Sequence, residues 1–169
     1  MGNAAALGHL LSERRTPAFQ GKTLEQMVRE IADREEIRDL ISRYAHCVAQ
    51  GVSVAPLFTD DGVFIVRRPG RSPAESRGRA QLDENFAASN GKVGLTLPMI
   101  HNHLLEISGD EAIGLCSNEL RIVENGESII ASGYYRDAFR REKDQWKFTL
   151  RDMTFFHWVP VQRGWAAGG

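Results

Sequence analysis

The chain is 169 residues long, 42% hydrophobic and 25% charged, the balance of one globular domain with enough apolar material for a core. Its formal net charge of -1 removes the basic field that nucleic-acid binding needs, and no apolar run reaches the length of a membrane span. Function is therefore expected at a site, with neither nucleic acid nor a membrane as partner.

Residues 1–22 mix Ala, Gly, Ser, Arg and Pro without a sustained period and read as an arm. The start, Met1-Gly2-Asn3-Ala4, lacks the positive charge of a secretory leader. Cys47 and Cys116 both sit in apolar surroundings and read as reduced thiols, so a cytoplasmic protein is expected.

Thr23-Leu24-Glu25-Gln26 fits a capping box, after which Leu24, Met27, Val28 and Ile31 recur at helical spacing. Asp33-Arg34-Glu35-Glu36 reads as a second box, opening a helix to about Gln50. Its apolar stripe is Ile37, Leu40, Ile41, Tyr44, Cys47 and Val48, with Asp39, Arg43, His46 and Gln50 on the polar side and Gly51 as the stop. A short apolar segment and the turn Thr59-Asp60-Asp61-Gly62 then precede a strand at Val63-Phe64-Ile65-Val66. Residues 67–78, with two prolines, two glycines and four arginines, read as an exposed loop. A helix is expected over 79–88, broken by Ser89-Asn90-Gly91-Lys92.

Beyond Pro98 the period falls to two, which places strands near 99–108, 111–123, 128–140 and 146–158. Asn125-Gly126 is a hairpin signal. Helices first and then a long antiparallel meander mean an α+β domain over 23–158, its helices on one face of a strongly curved sheet, followed by a tail at 159–169.

Five stretches in order resemble the SnoaL-like branch of the nuclear-transport-factor-2-like superfamily. They are Glu36-Ile37-Arg38-Asp39-Leu40 with Arg43-Tyr44-Ala45, then Leu57-Phe58-Thr59-Asp60-Asp61-Gly62, then Gly78-Arg79-Ala80, then Asn102 with the turn Gly109-Asp110-Glu111-Ala112, and finally Gly133 to Arg151, which looks like G-x-Y-x-D, a turn, and W-[RK]-[IF]-x-x-R. The resemblance implies a cone closed over an internal pocket, and relatives such as scytalone dehydratase-like and ketosteroid isomerase-like proteins. It also implies no cofactor, and assembly as a homodimer or homotrimer.

The same resemblance makes Tyr44 a candidate donor to a developing oxyanion; a core tyrosine is the plain alternative. Five residues on, where dehydratase-like relatives carry an Asp that works with a His, this chain has Ala49. Strand alternation puts His101 and His103 on one inward face with Leu105 and Ile107, so either is a candidate acid or base. The family's His would fall nearer Pro98 or Met99. A His-x-His pair can hold a metal, but no third ligand stands at an informative spacing, so none is expected. Asn118 lies on a small-residue face with Ala112, Gly114 and Cys116, where it could bind a ligand. Tyr135 and Asp137 share a face, and Asp137 can pair with Arg151. Asp152, opposite in parity to Arg151, supplies the missing carboxylate if it points inward beside Phe148 and Leu150, a reading that one bulge would reverse. Phe155 and its aromatic neighbours could wall the pocket or face a second subunit.

Three functions fit. The first is a cofactor-independent lyase or isomerase acting on a small hydrophobic substrate such as a ring compound through Tyr44, His101, His103 and Asp152, with Asn118, Tyr135 and Phe155 binding it. The second is a non-catalytic module that binds a hydrophobic molecule or organises an oligomer. The third, an epoxide hydrolase, wants a carboxylate–Arg–Asn network that the sequence does not visibly assemble.

Overall fold

The computed structural model describes residues 10–11, 20–124 and 126–163, without side-chain detail at 88–95 and 163. Most of the expected arm, Asn125 and the end of the tail lie outside these residues. Within them the chain forms two long helices on a six-stranded, mostly antiparallel sheet in the order β2-β1-β6-β5-β4-β3. The elements are α1 (Leu24–Gln50), β1 (Phe58–Arg67), β2 (Ala74–Arg77), α2 (Gly78–Lys92), β3 (Val93–Ser108), β4 (Glu111–Glu124), β5 (Glu127–Glu142) and β6 (Gln145–Pro160). Only β1 and β6 run parallel. The α+β reading stands, with strands longer than their patterns suggested.

α1 begins where Thr23 accepts from the Gln26 amide at 3.2 Å and Gln26 Oε1 accepts from the Thr23 amide at 2.9 Å, the expected capping box. It does not restart at Asp33. That side chain is buried and accepts instead from Arg141 and, at 3.4 Å, from Trp146 Nε1. The second cap signal therefore marks a tertiary anchor that ties the helix to the β5–β6 hairpin. The helix ends at Gly51, whose φ of 68° a side chain would oppose. Leu24, Val28 and Ile31 stay exposed, and the buried stripe starts at Ile37.

The expected 59–62 turn lies inside β1, whose register against β6 shifts between Phe58 and Val63. The expected 67–78 loop contains β2, an edge strand antiparallel to β1. The expected break at 89–92 lies inside α2, which runs to Lys92.

Three bulges decide which side chains the sheet turns inward. In β3, residues 102 and 103 face the single position between Ser117 and Leu115 of β4, and Asn102 takes a φ of 53°. In β6, Thr149 is extra against the step from Phe139 to Ala138, and Phe156 is extra against the step from Gly133 to Ser132. Each inserted residue reverses the alternation beyond it.

The concave face packs Ile37, Ile41 and Leu82 from the helices against Phe58, Phe139 and Phe148 of the sheet. The Phe148 ring centroid is 5.1 Å from those of both Phe58 and Phe139. No helix among the described residues is long and apolar enough to cross a membrane. Cys47 and Cys116 are both free thiols.

Candidate functional site

A cavity of about 870 Å³ opens between α1, α2 and the concave face of the sheet. Its walls are mainly apolar: Phe64, Phe86, Leu120, Ile122, Met153 and Phe155, with Trp158 toward the rim. Tyr44 and Tyr135 also line it, with ring centroids 6.0 Å apart and edge to face. Both rings are almost wholly buried. Burial raises the pKa of Tyr44 well above its ordinary value, Tyr135 adding to the effect against the pull of Arg151. Burial raises that of Tyr135 as well. Both hydroxyls are therefore neutral donors at physiological pH.

Against the two tyrosines lies the largest fully buried side chain among the described residues, that of Arg151. Arg151 has no exposed surface, and its guanidinium carbon stands 3.7 Å from the Tyr135 ring centroid, 4.1 Å from that of Tyr44 and 4.7 Å from that of Phe148. Its counter-ion is Asp137, at 3.7 Å from Nε to Oδ1, a contact too long for a hydrogen bond. None of the three guanidinium nitrogens makes a hydrogen bond within the described protein. Burial pushes the Asp137 carboxyl up to about 6, against the pull of Arg151. Burial opposes the charge on Arg151 too, but Asp137, and after it Tyr135, hold its pKa above the ordinary value. Cys116 stands 4.0 Å from Asp137, and burial pushes its thiol up to about 12, so it is inert as a nucleophile. Asn118 faces the same interior; it influences Tyr135 electrostatically, yet neither of its amide atoms makes a hydrogen bond of normal geometry.

The candidate residues divide sharply. Tyr44, Tyr135 and Phe155 line the cavity, and Asn118 is buried beside Tyr135. His101 is exposed and pairs with Ser117 on the outer side of the sheet, whereas His103 is half-buried with its Nε2 inside. The β3 bulge separates them, correcting the shared inward face, and they cannot chelate one ion together. Burial, and then Arg151, lowers the pKa of His103. Asp152 is also corrected. The extra residue at Thr149 turns Arg151 inward and leaves Asp152 outside, gripped by Arg67 at 2.9 Å through both Nε and Nη2. The charged, outward position expected for Arg151 is reversed by the same bulge. Ala49 is half-buried, and no carboxylate of β6 takes the place of the missing Asp. The sequence allows the Asp137–Arg151 pair but does not reveal that it underlies the site, since a run of alternating residues carries no mark of where an extra one is inserted.

Comparisons with known proteins agree with this architecture. The SnoaL-like domain family matches residues 29–152. No curated protein sequence is significantly similar to the chain. Among solved structures, a proposed aromatic ring hydroxylase from Novosphingobium aromaticivorans superposes with a TM-score of 0.69 at 27% identity, over 78% of this chain and 94% of that one. LinA superposes with a TM-score of 0.68 at 22% identity, over 78% and 91% of the two chains. A proposed scytalone dehydratase from N. aromaticivorans gives a TM-score of 0.68 at 18% identity, over 78% and 89%. The last two likenesses speak for the fold alone. A family match over most of the chain and a helix-capped, curled sheet around one cavity lead to one conclusion: this protein belongs to the SnoaL-like domain family, a membership that supports a small-molecule-processing enzyme or binding domain.

Proposed function

We propose that the cavity takes a small, largely apolar ring compound carrying an oxygen function, and that the protein acts on it as a cofactor-independent lyase or isomerase. The observation that carries this reading is the pairing of Tyr44 and Tyr135 at an otherwise apolar wall, over the buried cation of Arg151. Tyr44 and Tyr135 interact with each other through their hydroxyls, and a substrate oxygen bound at this pair would be held more strongly as negative charge develops on it. The nearby guanidinium, fixed in a low-dielectric setting, favours the same charge. Asp137 and His103 both interact electrostatically with Arg151, and the reading assigns proton exchange to these two.

A second reading, a binding module without turnover, is favoured by Ala49 and by the outward positions of His101 and Asp152. Trp158 in the cavity wall makes the two separable. Ring ketones such as 2-tetralone should quench its fluorescence, and Tyr44→Phe should weaken that binding about tenfold while sparing tetralin, which has no oxygen. Deuterium exchange at the ketone α-carbon, followed by NMR, then decides between enzyme and binder. Equal binding of ketone and hydrocarbon would remove the role given to the tyrosines.

The outer side of the sheet supports a homodimer or homotrimer. Phe156, the bulged residue of β6, is 60% exposed and packs tilted against Tyr134 with ring centroids 5.1 Å apart, an aromatic pair that a second copy could cover. Light scattering of the purified chain tests this, a monomeric mass being the adverse result.

A further inference from the structure

The cavity has a charged end that the proposed chemistry leaves unused. Arg68-Pro69-Gly70-Arg71 forms a tight turn between β1 and β2, closed by the Arg71 amide donating to the Arg68 carbonyl at 3.2 Å. Gly70, at a φ of 71°, occupies the left-handed position that a type II turn requires, and Pro69 presets the residue before it. Such a turn holds its first and last residues close together, and here both are arginines lining the cavity.

Their acidic neighbours leave one of the two charges unmatched. Glu124 lies 3.5 Å from Arg68 and also accepts from Trp158 Nε1 at 3.1 Å. Glu75, the other acid in the cavity lining, pairs with Arg77 at 2.9 Å. Arg71 has no ion pair among the described residues. The Arg68 guanidinium carbon stands 3.6 Å from the Trp158 ring centroid, a cation–π contact that holds it at the rim. Burial makes the Arg68 cation harder to sustain than an ordinary arginine's, against the pull of Glu124, and Arg71 adds a smaller like-charge effect. An anion at this rim would supply the counter-ion that Arg71 lacks among the described residues.

We infer that the ligand is a ring-bearing carboxylic acid, its carboxylate held at the cavity rim by Arg71 and Arg68 while its apolar ring reaches toward Tyr44 and Tyr135. The inference rests on the reading of the cavity as a small-molecule site and adds the charge class of the molecule. A planar guanidinium fork matches a carboxylate in shape as well as sign. An apolar wall between the arginines and the tyrosines selects a molecule with a polar group at each end.

The test uses matched pairs: 2-naphthoic acid with 2-naphthamide, and biphenyl-4-carboxylic acid with its amide, titrated against the full chain by Trp fluorescence and calorimetry. The acid of each pair is expected to bind about tenfold more tightly than the amide. That preference should shrink in high salt and fall close to parity in Arg71→Gln, whose fold is checked by thermal melting. Arg71→Lys, which keeps the charge and loses the fork, should retain part of the preference. Acid and amide binding equally well to the wild type would overturn the carboxylate inference and leave the cavity reading standing. A preference that survives intact in Arg71→Gln would overturn the assignment to this turn. Failure of every acid and every amide to bind would sink the cavity reading and the inference with it.

Discussion

Arg151 and Asp137 face each other across β6 and β5 with 3.7 Å between Nε and Oδ1 and essentially no solvent at either side chain. A pair so buried is held by low dielectric rather than by a short bond, and aromatic faces supply what the missing hydrogen bonds do not. It underlies the two tyrosines of the proposed site, so its integrity bears on both stability and function.

Asp137→Asn should therefore destabilise the protein by about 3–5 kcal/mol near pH 7, because Arg151 would be left buried without its counter-ion. Replacing both partners together, Asp137→Leu with Arg151→Met, should cost much less, since no lone charge remains. Urea unfolding of the single and double variants measures this; a single variant as stable as the double one would show that the pair carries no electrostatic coupling.

The pH dependence contains two opposed contributions. Burial raises the Asp137 carboxyl from 3.8 to about 6, so the folded state keeps a proton that the unfolded chain has lost. The stability this contributes is full below pH 3.8 and is lost as pH rises through about 6. His103 behaves in reverse: burial, then Arg151, lowers its pKa from 6.5, so its contribution is present above pH 6.5 and lost on acidification. Relative to wild type, His103→Gln should gain stability toward acid, whereas Asp137→Asn should lose it. Unfolding curves between about pH 4 and pH 7 give these differences, and two flat difference profiles would contradict both assignments.

Gly133 sits where β5 and β6 meet at the Phe156 bulge. A Cβ there would lie 1.9 Å from the Thr154 carbonyl oxygen and 2.9 Å from the Phe155 Cα, both backbone atoms with no room to withdraw. Gly133→Ala should cost about 1–3 kcal/mol or more and disturb Phe155 in the cavity wall. Thermal melting and ligand titration report the two effects; a melting point equal to wild type would show that the strands separate freely.

Asp33→Ala should leave the Arg141 guanidinium and the buried Trp146 indole N–H short of an acceptor, at a cost of about 1–3 kcal/mol. The loss should concentrate in the first half of α1, which hydrogen exchange resolves. Uniform protection along the helix would mean that Asp33 does not anchor it.

Much of this architecture was legible in the sequence for local reasons. The capping box at Thr23, the stop at Gly51 and the inward face of β4 from Ala112 to Ile122 depend on neighbours three or four residues away, or on simple alternation. Asp33 shows the limit, because a cap signal and a buried anchor have the same spelling. The site was legible in part: Tyr44 and Tyr135 followed from stripe and parity, and the absence of an acid at Ala49 was plain.

What only the tertiary structure decided is the sidedness beyond each bulge. Whether His101 or His103 faces inward, and whether Arg151 or Asp152 does, turns on one inserted residue in β3 and one in β6. A strand's own residues record its period of two but not its register against a partner, and register is set by the whole sheet closing on the helices. The sequence alone determined an α+β domain with a tyrosine on the buried stripe of its first helix. The fold determined that the charge beside that tyrosine is an arginine, because an extra residue at Thr149 reversed the face.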